Sequence, residues 1–253
     1  MTRAGAMLST VNAVVGHVGL EVIASWRMPR LAYARRLQTL FEHFGITSVI
    51  DVGANAGQFR DQMRGEVGFA GPIHSFEPDP ALAAALARRA ATDPAWTVYP
   101  CALGASAGTA AFNVMENSEY NSFHSPDARE TRHAANGNRV ARTVKVEVRT
   151  LDAAASGLPD LAHAFLKIDT QGFDLEVLKG GDTVARQVPM AQTEVSLKKL
   201  YSGSPSMQDS ISAFGRLGFA VADLFLISTD GGHRAVEFDC IMVRDAGGAA
   251  PPG

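Results

Sequence analysis

The stretch "VIDVGANAGQF", Val49 to Phe59, decides the fold. "ITSVIDVG" (Ile46 to Gly53) reads as a buried strand, and "FRDQMRGEV" after it reads as a helix. Gly53 and Gly57 stand between the two. Glycines there permit a tight turn and a close approach of the backbone to a ligand. A dinucleotide fingerprint would space them GxGxxG and seat a pyrophosphate on the helix N-terminus. Here the spacing is GxxxG, with Asn55 inside it. Asp51, just before the turn, would repel a dianion and suits a ligand that carries an amino group.

Outward from this unit, strands and helices alternate. "PIHSFEP" reads as a second strand, and "PALAAALARRAA" as a helix begun near Pro80. "WTVYPCAL" is a third strand and "AHAFLKID" a fourth, followed by the helix "DLEVLKG". "PMAQTEVSL" is a fifth strand and "MQDSISAFGRLG" a helix ended by Gly218. "FAVADLFLIS" and "AVEFDCIMVR" are late strands joined through the hairpin-like turn "TDGGH". The alternation predicts an α/β doubly wound sheet, mostly parallel, covered on both faces, with an antiparallel pair at one edge. Residues 1–45 are expected to form an N-terminal helical extension, with Met7 to Phe44 as two helical segments divided near Pro29. The main domain then covers 46–245 and the tail 246–253 is disordered. An insertion at 104–150 holds two strands, "GTAAFNVM" and "RTVKVEVRTL", around the polar loop "ENSEYNSFHSPDARETRHAANGN". A loop of that length is more often functional than idle.

Composition narrows the function. Hydrophobic residues make up 46% of the 253, enough for a sizeable core. Net charge is −3 with no basic stripe, which speaks against nucleic acid as a partner. Two cysteines, sparsely placed, fit a reducing compartment, and none has zinc-ligand spacing. "MLSTVNAVVGHVGLEVIASW" is interrupted by His17 and Glu21 and reads as neither a membrane span nor a signal peptide, so the expected location is cytoplasmic. "RMPRLAYARR" is basic and carries aromatics. Its helix covers a core, or it serves as a homodimer contact, a lid, or a peripheral contact with an anionic membrane.

The site follows from acids at strand ends. Asp51 and Glu77 end consecutive strands on either side of the glycine turn. A carboxylate at Glu77 can accept from both hydroxyls of a ribose. Together with Gly53, Asn55 and Gly57, and flanked by Phe59 and Pro78, they look like a site for S-adenosylmethionine. Cys101 and Ala102, at the turn after the third strand, are candidate adenine neighbours; Cys101 also reads as a small buried hydrophobe. In "LKIDTQGFDLEVLKG" (Leu166 to Gly180) an apolar strand stops on Asp169. Ligands of doubly wound sheets bind outside the carboxyl ends of the strands, so Asp169 faces the crevice as general base, orienting acceptor or cofactor contact. Its alternative role is a helix cap. Gln171 lines the same crevice, while Asp174 and Glu176 read as solvated helix acids. Glu194 in "QTEVSL" is a second candidate acid, and His124 and His133 in the long loop offer an imidazole. Tyr120, Asn121 and Ser122 can hydrogen-bond a polyhydroxylated acceptor. Asp169 and Glu194 could share a magnesium ion, but no metal signature is present and none is predicted.

"VIDVGANAGQF", "FEPDP", "ALG", "RTLD", "LKIDTQGFDLEVLKG" and "TEVSLKKLYSG", in that order across Ser48 to Val243, resemble the FkbM-type methyltransferases. Family members commonly read I-D-x-E-G in the fourth-strand motif; this chain has Gln171 at the Glu position. The resemblance implies a class I methyltransferase (Rossmann-like) fold. It also implies methyl transfer from S-adenosylmethionine to a hydroxyl of a sugar, glycolipid, polysaccharide or polyketide-type acceptor. The competing readings are a non-catalytic S-adenosylmethionine-binding or interaction module, and a methyltransferase for another small molecule. Base-amine methylation would want an Asn/Asp-Pro-Pro-aromatic turn after the fourth strand, where "DTQG" stands.

Overall fold

The computed structural model describes residues 13–15, 17, 22–125, 139–158, 160–198, 201 and 203–244. The strands are β1 (Ser48–Val52), β2 (Ile73–Phe76), β3 (Trp96–Tyr99), β4 (Ala102–Leu103), β5 (Gly108–Met115), β6 (Val140–Arg149), β7 (Ala164–Ile168), β8 (Met190–Ser196), β9 (Phe219–Thr229) and β10 (Ala235–Arg244). Seven of them form one sheet in the order β3-β2-β1-β7-β8-β10-β9. β3, β2, β1, β7 and β8 run parallel, and β10 lies antiparallel between β8 and β9. The order reverses between β1 and β7, where a doubly wound sheet opens its ligand crevice.

All five residues of β1 and all five of β7 are buried because both sheet faces are covered. Ile50, Val52, Leu166 and Ile168 pack on one face with Val177, Leu178 and Phe214. Val49 and Phe165 pack on the other with Leu37, Phe41 and Met63. Helix α1 (Met28–Phe44) thus shares the core of the sheet. Pro29 lies in its first turn, where a missing N–H costs nothing. Gly45, with φ 61°, closes it. The earlier part of the N-terminal segment and the tail 246–253 lie almost wholly outside the described residues.

Helices α2 (Gln58–Gln62, continued by a π turn over Met63–Val67) and α3 (Pro80–Ala90) follow β1 and β2. The short helices α4 (Leu151–Ala155) and α6 (Asp182–Gln187) were not expected; α5 (Asp174–Lys179) and α7 (Met207–Arg216) were. The third strand is shorter than "WTVYPCAL" suggests. The Cys101 N–H turns back to the Tyr99 carbonyl (2.9 Å), and β4 leaves to pair with β6 in a separate sheet, β4-β6-β5. Among the described residues no helix is long and apolar enough to cross a membrane.

Candidate active site

Register builds the floor of the site. Asp51 in β1 lies beside Ser75 in β2 and Lys167 in β7. The Asp51 carboxylate is fully buried. Lys167 Nζ donates to Oδ1 at 3.1 Å and Ser75 Oγ donates to Oδ2 at 2.9 Å; Trp96 Nε1 in turn donates to Ser75 Oγ at 3.0 Å. Lys167 Nζ also lies 3.4 Å from Asp169 Oδ2 and 5.0 Å from the centre of the Phe59 ring. Burial works against the Lys167 ammonium, but Asp51 and Asp169 beside it raise its pKa above that of an ordinary lysine. The cation that answers Asp51 is therefore Lys167. Asp51 itself does not line the cavity, which corrects the expectation that it offers its charge to a ligand.

Above this floor, at the strand-order reversal, a cavity of about 670 Å³ opens. One wall comes from the glycine turn, Phe59, the end of β2 and the turn before β4: Gly53, Asn55, Glu77, Pro78, Cys101 and Ala102 all line it. The two glycines have different reasons. Gly53 has φ 84°, and a Cβ there would stand 1.9 Å from the Asp169 carbonyl oxygen, so glycine lets the ends of β1 and β7 meet. Gly57, at φ 86°, faces Leu86 and Trp96 and lies outside the cavity lining. Asn55 sits between them at φ 47°, a conformation asparagine tolerates. Its N–H donates to Glu77 Oε2 (2.7 Å), and the Asp79 N–H donates to Oε1 (2.8 Å). Burial pushes the Glu77 carboxyl up to about 8, although these two N–H groups pull the other way. Burial likewise pushes the Cys101 thiol up to about 11.

The opposite wall is acidic. Asp169, at the end of β7, is joined there by Glu194 from β8 and by Glu237 and Asp239 from β10. Antiparallel pairing sets Asp239 directly opposite Glu194. Burial, then the neighbouring Asp169 and Glu237, holds the Glu194 carboxyl well above the usual carboxylate range. Asp239 is pushed up to about 6 by burial and by Asp169. Gln171 Nε2 donates to Asp169 Oδ1 and to Glu194 Oε2, both at 3.3 Å. Asp169 does not cap the next helix. Asp174 folds back instead, its Oδ1 accepting from Thr170 N and Oγ1 at 2.8 Å each. It is buried, not solvated as expected, and its carboxyl rises to about 7 through desolvation.

The insertion and α1 supply the remaining sides. Tyr120 and Asn121 line the cavity. Ser122 does not; it is buried and donates to the Gln171 carbonyl (2.9 Å). His124 also stays outside: its Nε2 lies 3.2 Å from the Gly172 carbonyl and its ring packs on Phe173. It braces the turn after β7 and is not within the cavity as a base. His133 lies outside the described residues. From α1, Arg30 and Tyr33 reach the cavity. Tyr33 OH donates to Gln192 Oε1 (2.7 Å), and Gln192 Nε2 donates to Asp239 Oδ1 (2.9 Å).

Sequence reasoning missed Lys167, Arg30, Tyr33, Gln192, Glu237 and Asp239. Only Lys167 left a signal, as a cation inside the apolar strand "AFLKI" that needs a buried acid for a partner. Among the described residues no group of three or more His, Cys, Asp or Glu is arranged to hold a metal ion.

Residues 51–221 match the Methyltransferase FkbM domain. This chain belongs to the FkbM methyltransferase family. Its fold is similar to that of a solved FkbM methyltransferase from Methylobacillus flagellatus KT, at 16% identity and a TM-score of 0.50 over 77% of this chain. That match spans 43% of the Methylobacillus protein. The magnesium protoporphyrin IX methyltransferase ChlM of Synechocystis PCC 6803, solved with bound S-adenosylmethionine, matches at 11% identity and a TM-score of 0.47, over 89% of this chain and 87% of that one. No curated protein sequence gives a significant match. Methyltransferases of this fold use S-adenosylmethionine, and the cavity of this FkbM-family chain fits that cofactor. Asn55 Oδ1 and Asn121 Nδ2 are buried polar atoms of cavity-lining residues without a hydrogen-bond partner, and Glu77 adds a carboxyl beside Asn55. Polar groups left so are costly unless a ligand completes them.

Proposed function

We propose that this protein is an O-methyltransferase acting on a hydroxyl of a sugar, glycolipid, polysaccharide or polyketide-type acceptor. The observation that carries this reading is Asp169, set at the cavity opposite Glu77 and steadied by Lys167 and Gln171. S-adenosylmethionine, when bound, supplies a methyl group on an electrophilic sulfonium. Glu77 and Asn55 hold the ribose side, and Cys101 and Ala102 leave room for the adenine. A carboxylate offers about four lone-pair sites, and two on Asp169 are taken by Lys167 and Gln171. The others are available to orient the acceptor hydroxyl and accept its proton. The four carboxyls of this wall favour hydroxyls over a phosphate or carboxylate at the acceptor position, which supports a neutral, hydroxyl-rich substrate.

A glycolipid acceptor gains support from the cavity rim. Tyr33 packs on Phe225 and Arg36 pairs with Asp223, so the first half of α1 lies along the middle of β9. Trp26, Met28, Leu226 and Ile227 are exposed, Ile227 also lines the cavity, and Val22 to Arg36 carries four arginines, of which Arg30 pairs with Glu66 and Arg36 with Asp223. This combination suits a lipid tail at an anionic surface.

The test is calorimetric titration with S-adenosylmethionine, followed by labelled methyl transfer to a panel of sugars, glycolipids and polyketide alcohols. Asp169→Asn should keep cofactor affinity and lower transfer by about 10²–10⁴-fold. Cofactor binding with no transfer to any hydroxyl would favour a binding module. No cofactor binding by folded protein would overturn the proposal.

A further inference from the structure

Gln171 occupies an unusual position. Its backbone is left-handed, at φ 52°, which side chains rarely adopt. Ser122 Oγ donates to its carbonyl at 2.9 Å, and Tyr201 OH donates to its Oε1 at 2.7 Å. The second contact fixes the carboxamide: the oxygen faces Tyr201 and the nitrogen faces the acidic wall. Nε2 carries two hydrogens. It lies 3.3 Å from Asp169 Oδ1 and 3.3 Å from Glu194 Oε2, so one neutral donor is shared by two carboxyls.

Two carboxyls meeting in a half-buried wall cannot both ionise without repulsion unless a cation or a donor lies between them. A divalent cation would fill that place, bonding to carboxylate oxygens at about 2.0–2.6 Å. The amide nitrogen has donors only and cannot ligate a metal. We propose that Gln171 is a positioning residue whose carboxamide stands where such an ion would otherwise bridge Asp169 and Glu194. It holds both carboxyls toward the cavity without a metal. The inference rests on the reading of this wall as the acceptor side. Gln171→Glu keeps the length of the side chain and its tyrosine partner, and turns the bridging donor into a third carboxylate. Three carboxylates at one point form a site for a small hard cation.

The test is Mn²⁺ titration of the full chain, followed by the loss of the free-ion paramagnetic resonance signal, with and without S-adenosylmethionine. Wild type should show no specific uptake below about 1 mM, and Gln171→Glu should bind at least roughly tenfold more tightly. Adding Glu194→Gln to that variant should abolish the gain. A folded Gln171→Glu protein that gains no affinity would overturn the proposal. So would tight wild-type binding that Glu194→Gln removes, a measurement that does not depend on Gln171→Glu folding. Calorimetry with S-adenosylmethionine on the same samples separates the two readings: failed cofactor binding counts against the methyltransferase function and leaves the Mn²⁺ comparison intact.

Discussion

Lys167→Met keeps the side-chain stem over Phe59 and removes the ammonium that Asp51 and Asp169 share. Asp51 is 0% exposed and Lys167 7%, so solvent cannot replace the lost partner. Removing one member of a buried pair costs about 3–5 kcal/mol, because the remaining charge is left uncompensated. Total stability is on the order of 5–15 kcal/mol, so the loss is a large share of it. With a urea slope of about 3 kcal/mol/M, the unfolding midpoint should fall by roughly 1–1.7 M. The folded-state pKa of Lys167 is raised, so its contribution is complete below the unfolded value of about 10.4 and is lost only as pH rises through the folded value; pH 7 reads the full effect. Asp51→Asn added to Lys167→Met removes the orphaned charge and should restore at least about half of the loss. A single-variant loss below about 1 kcal/mol, or a double variant no better than the single, would refute the pairing argument.

Further outcomes follow from the same walls. Glu77, at about 8, is mostly protonated at pH 7 without ligand, whereas a ribose diol donating both hydroxyls needs the carboxylate. Cofactor binding should therefore release close to one proton and strengthen roughly tenfold per pH unit up to about 8, read by calorimetry in buffers of different ionisation enthalpy. Absence of proton release would mean that the Asn55 and Asp79 N–H groups already keep Glu77 ionised. The Gly53→Ala variant should lose more than about 1 kcal/mol from its positive φ alone and more from the Asp169 carbonyl, with urea unfolding as the readout. Cys101 and Cys240 are buried and their thiols are raised to about 11 and about 12, so a thiol reagent at pH 8 should find no fast-reacting group, and cofactor should slow Cys101 further. Trp26 is 78% exposed and Trp96 buried, so anionic vesicles should shift the fluorescence of Trp26 to the blue; unchanged emission in Trp96→Phe would count against a membrane-facing rim.

The parallel sheet was readable because short strands rich in apolar residues alternate with helical segments, and β1 and β7 are nearly continuous apolar runs that lead into a glycine turn or an acid. The site was readable where its chemistry stands near a strand end, as at Glu77, Asp169 and Glu194, or in the glycine turn and the polar loop, as at Asn55, Tyr120 and Asn121. Lys167 meets Asp51 across 116 residues of chain, a contact that only the β1–β7 register creates. Tyr33 reaches the cavity because α1 packs against Phe225, and Asp239 because β10 pairs with β8; neither depends on local pattern. Asp51 misled for the same reason: the sequence shows an acid before a turn and not which way it faces. The helices α4 and α6 have too few residues for a 3.6-residue period to stand out, and α4 is set instead by its Thr150 cap. His124 carried the right chemistry and the wrong position.

The segment shared with the FkbM family ends before Ile227, Ser228, Glu237 and Asp239 and begins after Arg30 and Tyr33, yet all six line the cavity. The Asn55–Glu77 wall lies inside that segment, and much of the wall facing it comes from the flanks. Replacements before residue 51 or after residue 221 would reshape the part of the cavity that Arg30, Tyr33, Glu237 and Asp239 supply and leave the turn between β1 and α2 untouched.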